Sequence, residues 1–319
     1  MEQANAIELK NITKRFGEVV ANDSVDLSVK HGEILSVLGE NGSGKTTLMN
    51  MISGIYFPDE GQIFVDGEEV SICSPKDSFA LGIGMIHQHF KLVDVLTAAE
   101  NIILGLEGKS VLDMKKVVQD IQEVTERYGF ELDPNQKIYD MSVSQKQTVE
   151  IVKMLYRGAN ILILDEPTAV LTPQETEKLF TVLRNMRDQG KSIIIITHKL
   201  NEVLALSDRV SVLRKGKYIG TVETKNATAE SLTEMMVGEK IDLNIERPDP
   251  VNPVKRLVIE NLSCVNKEGV KTLKNASMEA YGGEILGIAG IAGSGQKELL
   301  EAVAGLQMTE SGSVRYITE

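Results

Sequence analysis

The sequence predicts an α/β fold built on a mainly parallel β-sheet, followed along the chain by a partial second copy of the same unit. Three short, almost entirely aliphatic segments are typical of strands buried on both faces, and they alternate with long amphipathic stretches. The beginning of the sequence also recurs about 250 residues later, which indicates an internal repeat. Together these observations favour a layered α/β domain with a repeated start.

The aliphatic segments are residues 34–38, 161–164 and 192–197. We expect them to be neighbouring parallel strands, because near-continuous apolar character requires helices on both faces of the sheet. Residues 110–128 and 174–189 have polar and apolar positions at helical spacing, so they are predicted to be two of those helices.

The repeat sets the predicted domain boundaries. The sequence GEIL at residue 32 recurs 251 positions later, at residue 283, and three glycines that follow it recur at the same offset. We expect a first domain at residues 1–245 and a linker at 246–256, where three of the chain's eight prolines occur. Residues 257–319 match only about the first quarter of the first domain, so we expect a truncated second copy.

The composition excludes several classes of partner and site. With 46 acidic and 34 basic residues the net charge is −12, which argues against nucleic acid as the main partner. The two cysteines, Cys73 and Cys264, are too few and too far apart for a disulfide framework or a four-ligand zinc site. The first residues do not resemble a signal peptide, and no stretch approaches about 20 apolar residues. If the protein works at a membrane, we expect another chain to cross it.

A glycine-rich segment indicates a phosphate-binding loop. Residues 39–46 have the sequence GENGSGKT, which fits G-x-x-x-x-G-K-[ST], and they join the first strand to a predicted helix at 46–52. The glycines allow backbone N–H groups to surround phosphate oxygens, and the helix N-terminus adds positive charge. Lys45 would reach the β- and γ-phosphates, and Thr46 would bind Mg²⁺. The alternative is a glycine-rich surface turn with an exposed lysine.

Acidic and imidazole groups follow the other two strands. Asp165 would hold Mg²⁺, and Glu166 would polarise an attacking water, unless this pair is merely a solvated turn or a helix cap. His198 would hold the water and Glu166 in place, although a histidine after a strand is usually structural. His87 and His89 have a spacing that could suit a metal, but without a third ligand we do not expect a site there.

Five elements in this order resemble the ATP-binding cassette (ABC) family of ATPases. They are the loop at 39–46, Gln88, MSVSQ at 141–145, the Asp165-Glu166 pair and His198. The match covers residues 5–240 and, as a partial copy, 257–319. The resemblance implies a P-loop NTPase (RecA-like) core with a parallel sheet, an antiparallel β edge and an α-helical subdomain at about 93–157.

The resemblance also implies a role for each matched residue, with ATP as substrate and Mg²⁺ as cofactor. The catalytic residues would be Glu166, His198, Lys45 and Gln88. Those that bind nucleotide would be Phe16, Gly39, Asn41, Gly42, Ser43, Gly44, Lys45, Thr46, Thr47, Ser142 and Gln145. Mg²⁺ would be held by Thr46, Gln88 and Asp165. Phe16 would stack on adenine, the alternative being an ordinary core phenylalanine.

Further segments resemble the tandem-cassette ATPases of bacterial importers for simple sugars and nucleosides, and the nucleoside branch most closely. These are HQHF at 87–90 with LTAAENI at 96–102, EPTAVLTPQE at 166–175, and residues 142–151. The resemblance implies ATP hydrolysis coupled to solute import at the cytoplasmic face of the bacterial membrane. The partners would be permease subunits, indirectly a solute-binding lipoprotein or periplasmic protein, and a second ABC domain in cis or in a homodimer.

Two other functions remain open at this stage. One is a soluble ABC ATPase that acts on a macromolecular complex such as the ribosome or a repair assembly, and the other is a non-catalytic nucleotide-binding regulator. The acidic charge and the lack of long arms or coiled-coil insertions count against the first of these.

The sequence departs from the family pattern in two places, the signature segment at 141–145 and the phosphate-binding loop of the second copy. The family signature is LSGGQ, but here Val143 and Ser144 replace both glycines, and Thr172 stands where many members have aspartate. In the second copy Gln296 and Lys297 replace the lysine and threonine of the loop. We therefore expect the second copy to bind nucleotide poorly and the 319-residue chain to hydrolyse ATP slowly by itself.

Overall fold

The structure is a computed structural model that describes residues 5–88, 90–106, 113–239, 253–266, 269–290 and 293–318. The chain divides into two compact units, Met1–Ile241 and Asp242–Glu319. Most of the predicted linker and His89 lie outside the described residues.

The described residues of the first unit contain ten strands in two sheets. In chain order they are β1 Asn5–Phe16, β2 Val19–Lys30, β3 Ile34–Leu38, β4 Glu60–Val65, β5 Glu68–Val70, β6 Ile83–Ile86, β7 Ile161–Asp165, β8 Ser192–Thr197, β9 Arg209–Arg214 and β10 Lys217–Glu223. One sheet is antiparallel, with the order β2-β1-β4-β5, and the other has six strands in the order β10-β9-β3-β8-β7-β6. The predicted antiparallel edge is therefore confirmed.

The six-stranded sheet is parallel except at one side. β3 lies between β8 and β9 and runs parallel to both, β7 pairs in parallel with β6 and β8, and only β10 is antiparallel to its neighbour. Every residue of β3, β7 and β8 is buried. The prediction of three doubly covered parallel strands is confirmed, and the carboxyl ends of all three lie at one edge of the sheet.

Eight α-helices and two short 3₁₀ helices are described in the first unit. The α-helices are α1 Lys45–Ile52, α2 Pro75–Ala80, α3 Ala98–Ile103, α4 Met114–Tyr128, α5 Val143–Tyr156, α6 Pro173–Asp188, α7 Leu200–Leu206 and α8 Ala229–Val237. The 3₁₀ helices are Ile138–Asp140 and Thr224–Asn226. Two helices correspond to the predicted amphipathic stretches, but α4 begins at Met114 because the side chain of Asp113 caps it.

Three of the four hydrophobic cores described in the first unit hold these layers together. One packs α1 and the antiparallel sheet against one face of the six-stranded sheet, and a second packs α5 and α6 against its other face. A third core joins α3, α4 and α5 around residues such as Ile102, Ile121 and Val149. This third core lies within the stretch at about 93–157 where a helical subdomain is predicted, and it includes Met141, which precedes α5. None of the helices in the described residues has the length and apolar content needed to cross a membrane.

The second unit repeats the beginning of the first. It contains β11 Lys255–Val265, β12 Lys271–Tyr281, α9 Gln296–Val303 and β13 Thr309–Tyr316, and its three strands form an antiparallel sheet in the order β12-β11-β13. The core formed by its described residues is small and includes Leu262, Leu273 and Leu299. The repeat of β3 behaves differently, because residues 284–290 form no strand and Ile285 is 80% exposed.

Candidate functional site

The glycine-rich loop joins the end of β3 to the beginning of α1, as the sequence predicts. Gly44 occupies the N-cap position with a φ of 94°, a left-handed conformation that side chains rarely adopt. A Cβ atom at Gly44 would lie 2.4 Å from the carbonyl oxygen of Ala21 and 2.7 Å from Nδ2 of Asn22. Glycine is therefore required here both by the backbone angle and by the close approach of β2.

Lys45 is buried inside the curve of this loop. Its Nζ donates to the carbonyl oxygens of Gly39, at 2.7 Å, and Glu40, at 2.8 Å. Burial lowers the pKa of Lys45, while the negative charges of Glu166 and Asp165 oppose that shift. An ammonium group enclosed by backbone dipoles and facing two carboxylates is suited to bind an anion that enters the loop.

Oxygen donors for a cation lie next to the lysine. Thr46 Oγ1 donates to Asp165 Oδ2 over 3.5 Å, and Gln88 lines the same cavity. Burial and the neighbouring charge of Glu166 raise the pKa of Asp165, so a cation beside it would stabilise its ionised form. A hydroxyl, a carboxylate and an amide oxygen are hard ligands of the kind that Mg²⁺ prefers, and this ion commonly keeps several waters. The residues present therefore fit Mg²⁺.

Glu166 and His198 follow neighbouring strands, β7 and β8, and meet at their carboxyl ends. Glu166 Oε1 lies 2.8 Å from Nδ1 of His198, and the backbone N–H of Glu166 donates to the carbonyl oxygen of Ile196. Glu166 has a φ of 46°, which is unusual for a residue with a side chain. The structure thus directs a carboxylate held by imidazole toward the same cavity as the lysine.

A cavity of 730 Å³ connects these groups. Ten of the predicted site residues line it, namely Asn41, Gly42, Ser43, Gly44, Lys45, Thr46, Thr47, Gln88, Asp165 and Glu166. Gly39 and His198 do not line it, but each touches a residue that does, through Lys45 and Glu166 respectively. The remaining three predicted residues, Phe16, Ser142 and Gln145, lie elsewhere.

Phe16 is 44% exposed and is therefore not an ordinary core phenylalanine. Its ring meets that of Tyr56 edge-on, with centroids 5.2 Å apart. Phe16 does not line the cavity, and the residues nearest to it in sequence that do are Val19, Val20 and Ala21. Nζ of Lys14 lies over the ring of Phe16, 5.6 Å from its centroid.

The segment at 141–145 begins α5 and is engaged in local contacts. Ser142 is the N-cap, and its Oγ accepts from the backbone N–H of Gln145 while its own N–H donates to Gln145 Oε1. This reciprocal capping box explains why serine and glutamine occur three residues apart. Ser144 does not lie free, because its Oγ donates to Glu175 at the beginning of α6.

Several residues of the site were missed by the sequence analysis. Lys215 and Gly216 line the cavity from the turn between β9 and β10, and the N–H of Gly216 donates to the carbonyl oxygen of Ser43. Asn22 supports the loop from β2, where its Nδ2 donates to the carbonyl oxygen of Gly44 over 3.3 Å. The available sequence signals were local: a Lys-Gly pair after a partly apolar segment, and an asparagine where the repeat has leucine.

The second unit keeps the backbone of the loop but changes its side chains. Gly293 and Gly295 have φ angles of 79° and 90°, close to those of Gly42 and Gly44. Gln296 donates to the carbonyl oxygen of Ile288, and Lys297 is exposed beside Glu301. No ammonium group therefore occupies the curve of this loop among its described residues, which exclude 291 and 292.

A lysine-bearing glycine-rich loop before α1, with strand-terminal acids beside it on a parallel sheet, defines the class of P-loop nucleoside triphosphatases. Residues 22–169 match the family model described as ABC transporter. The first unit is an ABC transporter ATPase domain.

Curated relatives with similar sequences are import proteins. The chain is 48% identical over 317 residues to the nucleoside import ATP-binding protein NupA of Lactococcus lactis subsp. cremoris, covering 99% of this chain and 63% of that protein. It is also 48% identical over 310 residues to the guanosine import ATP-binding protein NupO of Bacillus subtilis, covering 97% and 61% respectively. The chain thus spans about three fifths of the length of these relatives.

Solved structures with a similar fold include ATP-binding cassettes of ABC transporters. The ADP conformation of MJ1267, an ATP-binding cassette of an ABC transporter, superposes with a TM-score of 0.66 at 26% identity, over 74% of this chain and 99% of that one. CbiO1 from Clostridium perfringens, part of the transporter complex cbiONQ, gives 0.64 at 26% identity, over 74% and 95%. The predicted α/β P-loop fold is confirmed.

Proposed function

We propose that this chain binds and hydrolyses ATP to drive import of a nucleoside through a separate membrane permease. The observation that carries the first half of this proposal is the single cavity shared by Lys45, Thr46, Asp165 and Glu166. The second half rests on the relatives, since the two described above import a nucleoside or guanosine at 48% identity, whereas a glucose importer and a ribose importer are 43% and 42% identical.

Each side chain has a task that follows from its position. Lys45, already surrounded by loop carbonyls, would exchange them for β- and γ-phosphate oxygens. Thr46, Asp165 and Gln88 would hold Mg²⁺, which neutralises phosphate charge when it is bound. Glu166 would orient the attacking water and accept its proton, and His198 would keep the carboxylate in place through its Nδ1 contact. Phe16, a half-exposed aromatic residue, would stack on adenine.

Calorimetric titration with MgATP tests the nucleotide site directly. Lys45→Ala should weaken binding roughly 10- to 100-fold, because it removes a buried charged donor to phosphate. Lys297→Ala is a matched control, since Lys297 follows the equivalent loop of the second unit and points to solvent. Equal affinity in the parent and Lys45→Ala would contradict the proposed site.

We propose further that hydrolysis requires two cassettes that face each other, either in cis or as a homodimer. Ser142 and Gln145 would then contact nucleotide bound to the facing loop, which fits their location away from the cavity. The second unit would bind nucleotide weakly, because Gln296 occupies the position of Lys45. The chain alone should therefore hydrolyse ATP slowly, and its rate per molecule should rise with protein concentration.

The partners would be permease subunits in the membrane and, through them, a solute-binding protein outside it. The chain would lie at the cytoplasmic face of the bacterial membrane as a peripheral subunit. Uptake of labelled solutes by its host cells tests this. Loss of the chain should abolish uptake of nucleosides and leave that of ribose unchanged, and Glu166→Gln should fail to restore it. The reverse pattern would indicate a sugar importer.

A further inference from the structure

Hydrogen bonds join the beginning of α5 to the beginning of α6 at the segment where the sequence departs from the family signature. Ser144 Oγ lies 2.7 Å from Glu175 Oε1, and Ser142 Oγ lies 3.0 Å from Ser144 Oγ. The other carboxylate oxygen, Glu175 Oε2, accepts from the backbone N–H and the hydroxyl of Thr172 at 2.9 and 3.0 Å. Four side chains therefore form one continuous chain of contacts, the Ser142–Glu175 relay.

The donor and the acceptor of each hydrogen bond in this relay follow from the charge of Glu175 at one end of it. Glu175 accepts from Ser144 and Thr172, and these bonds lower its pKa, so it is a carboxylate at neutral pH and only accepts. Ser144 must then donate its single proton to Glu175. In the contact between the two serines, Ser144 can only accept, so Ser142 must donate.

The relay therefore uses the only proton of the Ser142 hydroxyl. This proton is directed to Ser144, and one of the two lone pairs accepts from the backbone N–H of Gln145. The carboxylate of Glu175 also brings a negative charge within two hydrogen bonds of this serine. A phosphate that approached the N-terminus of α5 would be attracted by the helix dipole but would meet no free hydroxyl proton at Ser142 and a nearby anion.

We propose that Ser144 and Glu175 are positioning residues that turn the Ser142 hydroxyl away from a facing nucleotide and so weaken ATP-dependent closure at this half-site. The inference rests on the proposed function, because it presupposes that segment 141–145 of one cassette faces nucleotide on another. A glycine at position 144 would leave Ser142 free to donate to phosphate. The serine at this position thus sets the strength of one of the two half-sites.

Self-association of the full chain tests the relay. In two copies of the chain, each loop at 39–46 would face the 141–145 segment of the other copy. The background is Glu166→Gln, which leaves nucleotide bound, and the measurement is sedimentation equilibrium with and without MgATP. Adding Ser144→Ala should tighten ATP-dependent association roughly tenfold or more, since one hydrogen bond to a charged oxygen is regained. Without nucleotide, neither variant should associate.

Two further variants separate the relay from simpler explanations. Ser144→Gly should act like Ser144→Ala, because both remove the hydroxyl; a change with glycine alone would mean that side-chain bulk matters, and it would overturn the relay. Glu175→Ala should also tighten association, because it removes both the acceptor of the Ser144 proton and the negative charge. Glu100→Ala is its matched control, because Glu100 forms the same capping box with Thr97 at the beginning of α3.

The outcomes distinguish a failure of this inference from a failure of the proposed nucleotide-binding function. If all variants bind MgATP but Ser144→Ala associates no more tightly than its parent, the inference is wrong and the nucleotide site stands. If the parent chain does not bind MgATP at all, the proposed function fails and the inference fails with it.

Discussion

The imidazole Nδ1 of His198 lies 2.8 Å from Glu166 Oε1, and this contact joins the carboxyl ends of two adjacent parallel strands. Glu166 has a left-handed backbone, a conformation that costs about 1–3 kcal/mol and persists only where the surroundings impose it. The strand pair and the histidine together therefore hold the carboxylate in one direction. This arrangement is suited to a base that must meet a water molecule at a fixed place.

We expect Glu166 and His198 to act as one unit in hydrolysis. Glu166→Gln should lower the single-turnover rate roughly 10²- to 10⁴-fold and His198→Ala roughly 10²-fold, while ATP affinity changes little. Because the histidine acts through the carboxylate, the double variant should be no slower than Glu166→Gln alone. His31→Ala is the control, since His31 pairs with Asp66 at 2.9 Å on an exposed surface. Additive losses in the double variant would contradict a shared role.

An added methyl group should lower the free energy of unfolding by different amounts at two glycines of the loop. Gly42 and Gly44 both have positive φ, but a Cβ at Gly42 would meet nothing within 4 Å, whereas one at Gly44 would press on Ala21 and Asn22. Gly42→Ala should therefore lower the free energy of unfolding by about 1 kcal/mol, the cost of the backbone angle alone. Gly44→Ala should cost about 3 kcal/mol, because the clash adds to the strain. Urea denaturation of both variants measures the difference, and equal losses would rule out the close approach.

Asp59 should give stability a defined pH dependence. Its carboxylate accepts from Lys14 Nζ at 2.9 Å and from the backbone N–H of Arg15 at 2.7 Å, and these bonds lower its pKa, the one from Lys14 most. A carboxyl group whose pKa is lowered by folding stabilises the fold above its unfolded pKa of 3.8, and this contribution is lost as the pH falls through the folded value.

Asp59→Asn should accordingly lower the free energy of unfolding at pH 7. The gap between variant and parent should begin to close below about pH 4 and disappear at lower pH. Chemical denaturation at a series of pH values measures this gap. Lys14→Met removes the same bond from the other side, so it should reduce the effect of Asp59→Asn when the two are combined. A gap that stays constant down to pH 3 would show that the charge of Asp59 is irrelevant.

The sequence predicted the parts of the fold whose signal is local. Strands β3, β7 and β8 were recognisable because burial on both faces requires nearly unbroken aliphatic sequence, and the loop at 39–46 because its chemistry demands a fixed pattern of glycines. The proximity of the candidate site residues that follow these strands could be predicted for the same reason, since parallel strands bring their carboxyl ends to one edge.

What the sequence could not predict depends on contacts between distant segments. Lys215 reaches the cavity from a hairpin turn far along the chain, and Ser144 meets Glu175 only because α5 and α6 pack on the same face of the sheet. The repeat was also misleading at Ile285. The counterpart of Ile285 is Ile34, which belongs to strand β3, and β3 forms because β8 and β9 pair with it on either side. The described residues of the second unit provide no such neighbouring strands.

The repeat provides one more comparison, at the residue beneath the loop. Asn22 is fully buried under Gly44, and its Oδ1 has no partner in the described part of the chain. Leu273 occupies the same place under Gly295, where its Cδ1 would lie 3.1 Å from an added Cβ. The unit with the lysine-bearing loop thus keeps a buried polar group that the other unit replaces with an apolar one. A buried amide oxygen without a hydrogen-bond partner lowers the free energy of unfolding by about 1–3 kcal/mol. We therefore infer that Asn22 has a role in shaping the loop.

Asn22→Leu should therefore change stability and binding in opposite directions. Unfolding should become harder by about 1–2 kcal/mol, because an unsatisfied amide is replaced by a side chain that the fold already accommodates in its repeat. MgATP affinity should fall several-fold, because Gly44 loses the donor that orients its peptide at the beginning of α1. Denaturation and calorimetric titration of the same preparation give both values. Asn22→Asp removes the donor but keeps the polarity, so it should weaken binding without the gain in stability. If Asn22→Leu stabilises the protein and binds MgATP as tightly as the parent, Asn22 has no part in shaping the loop.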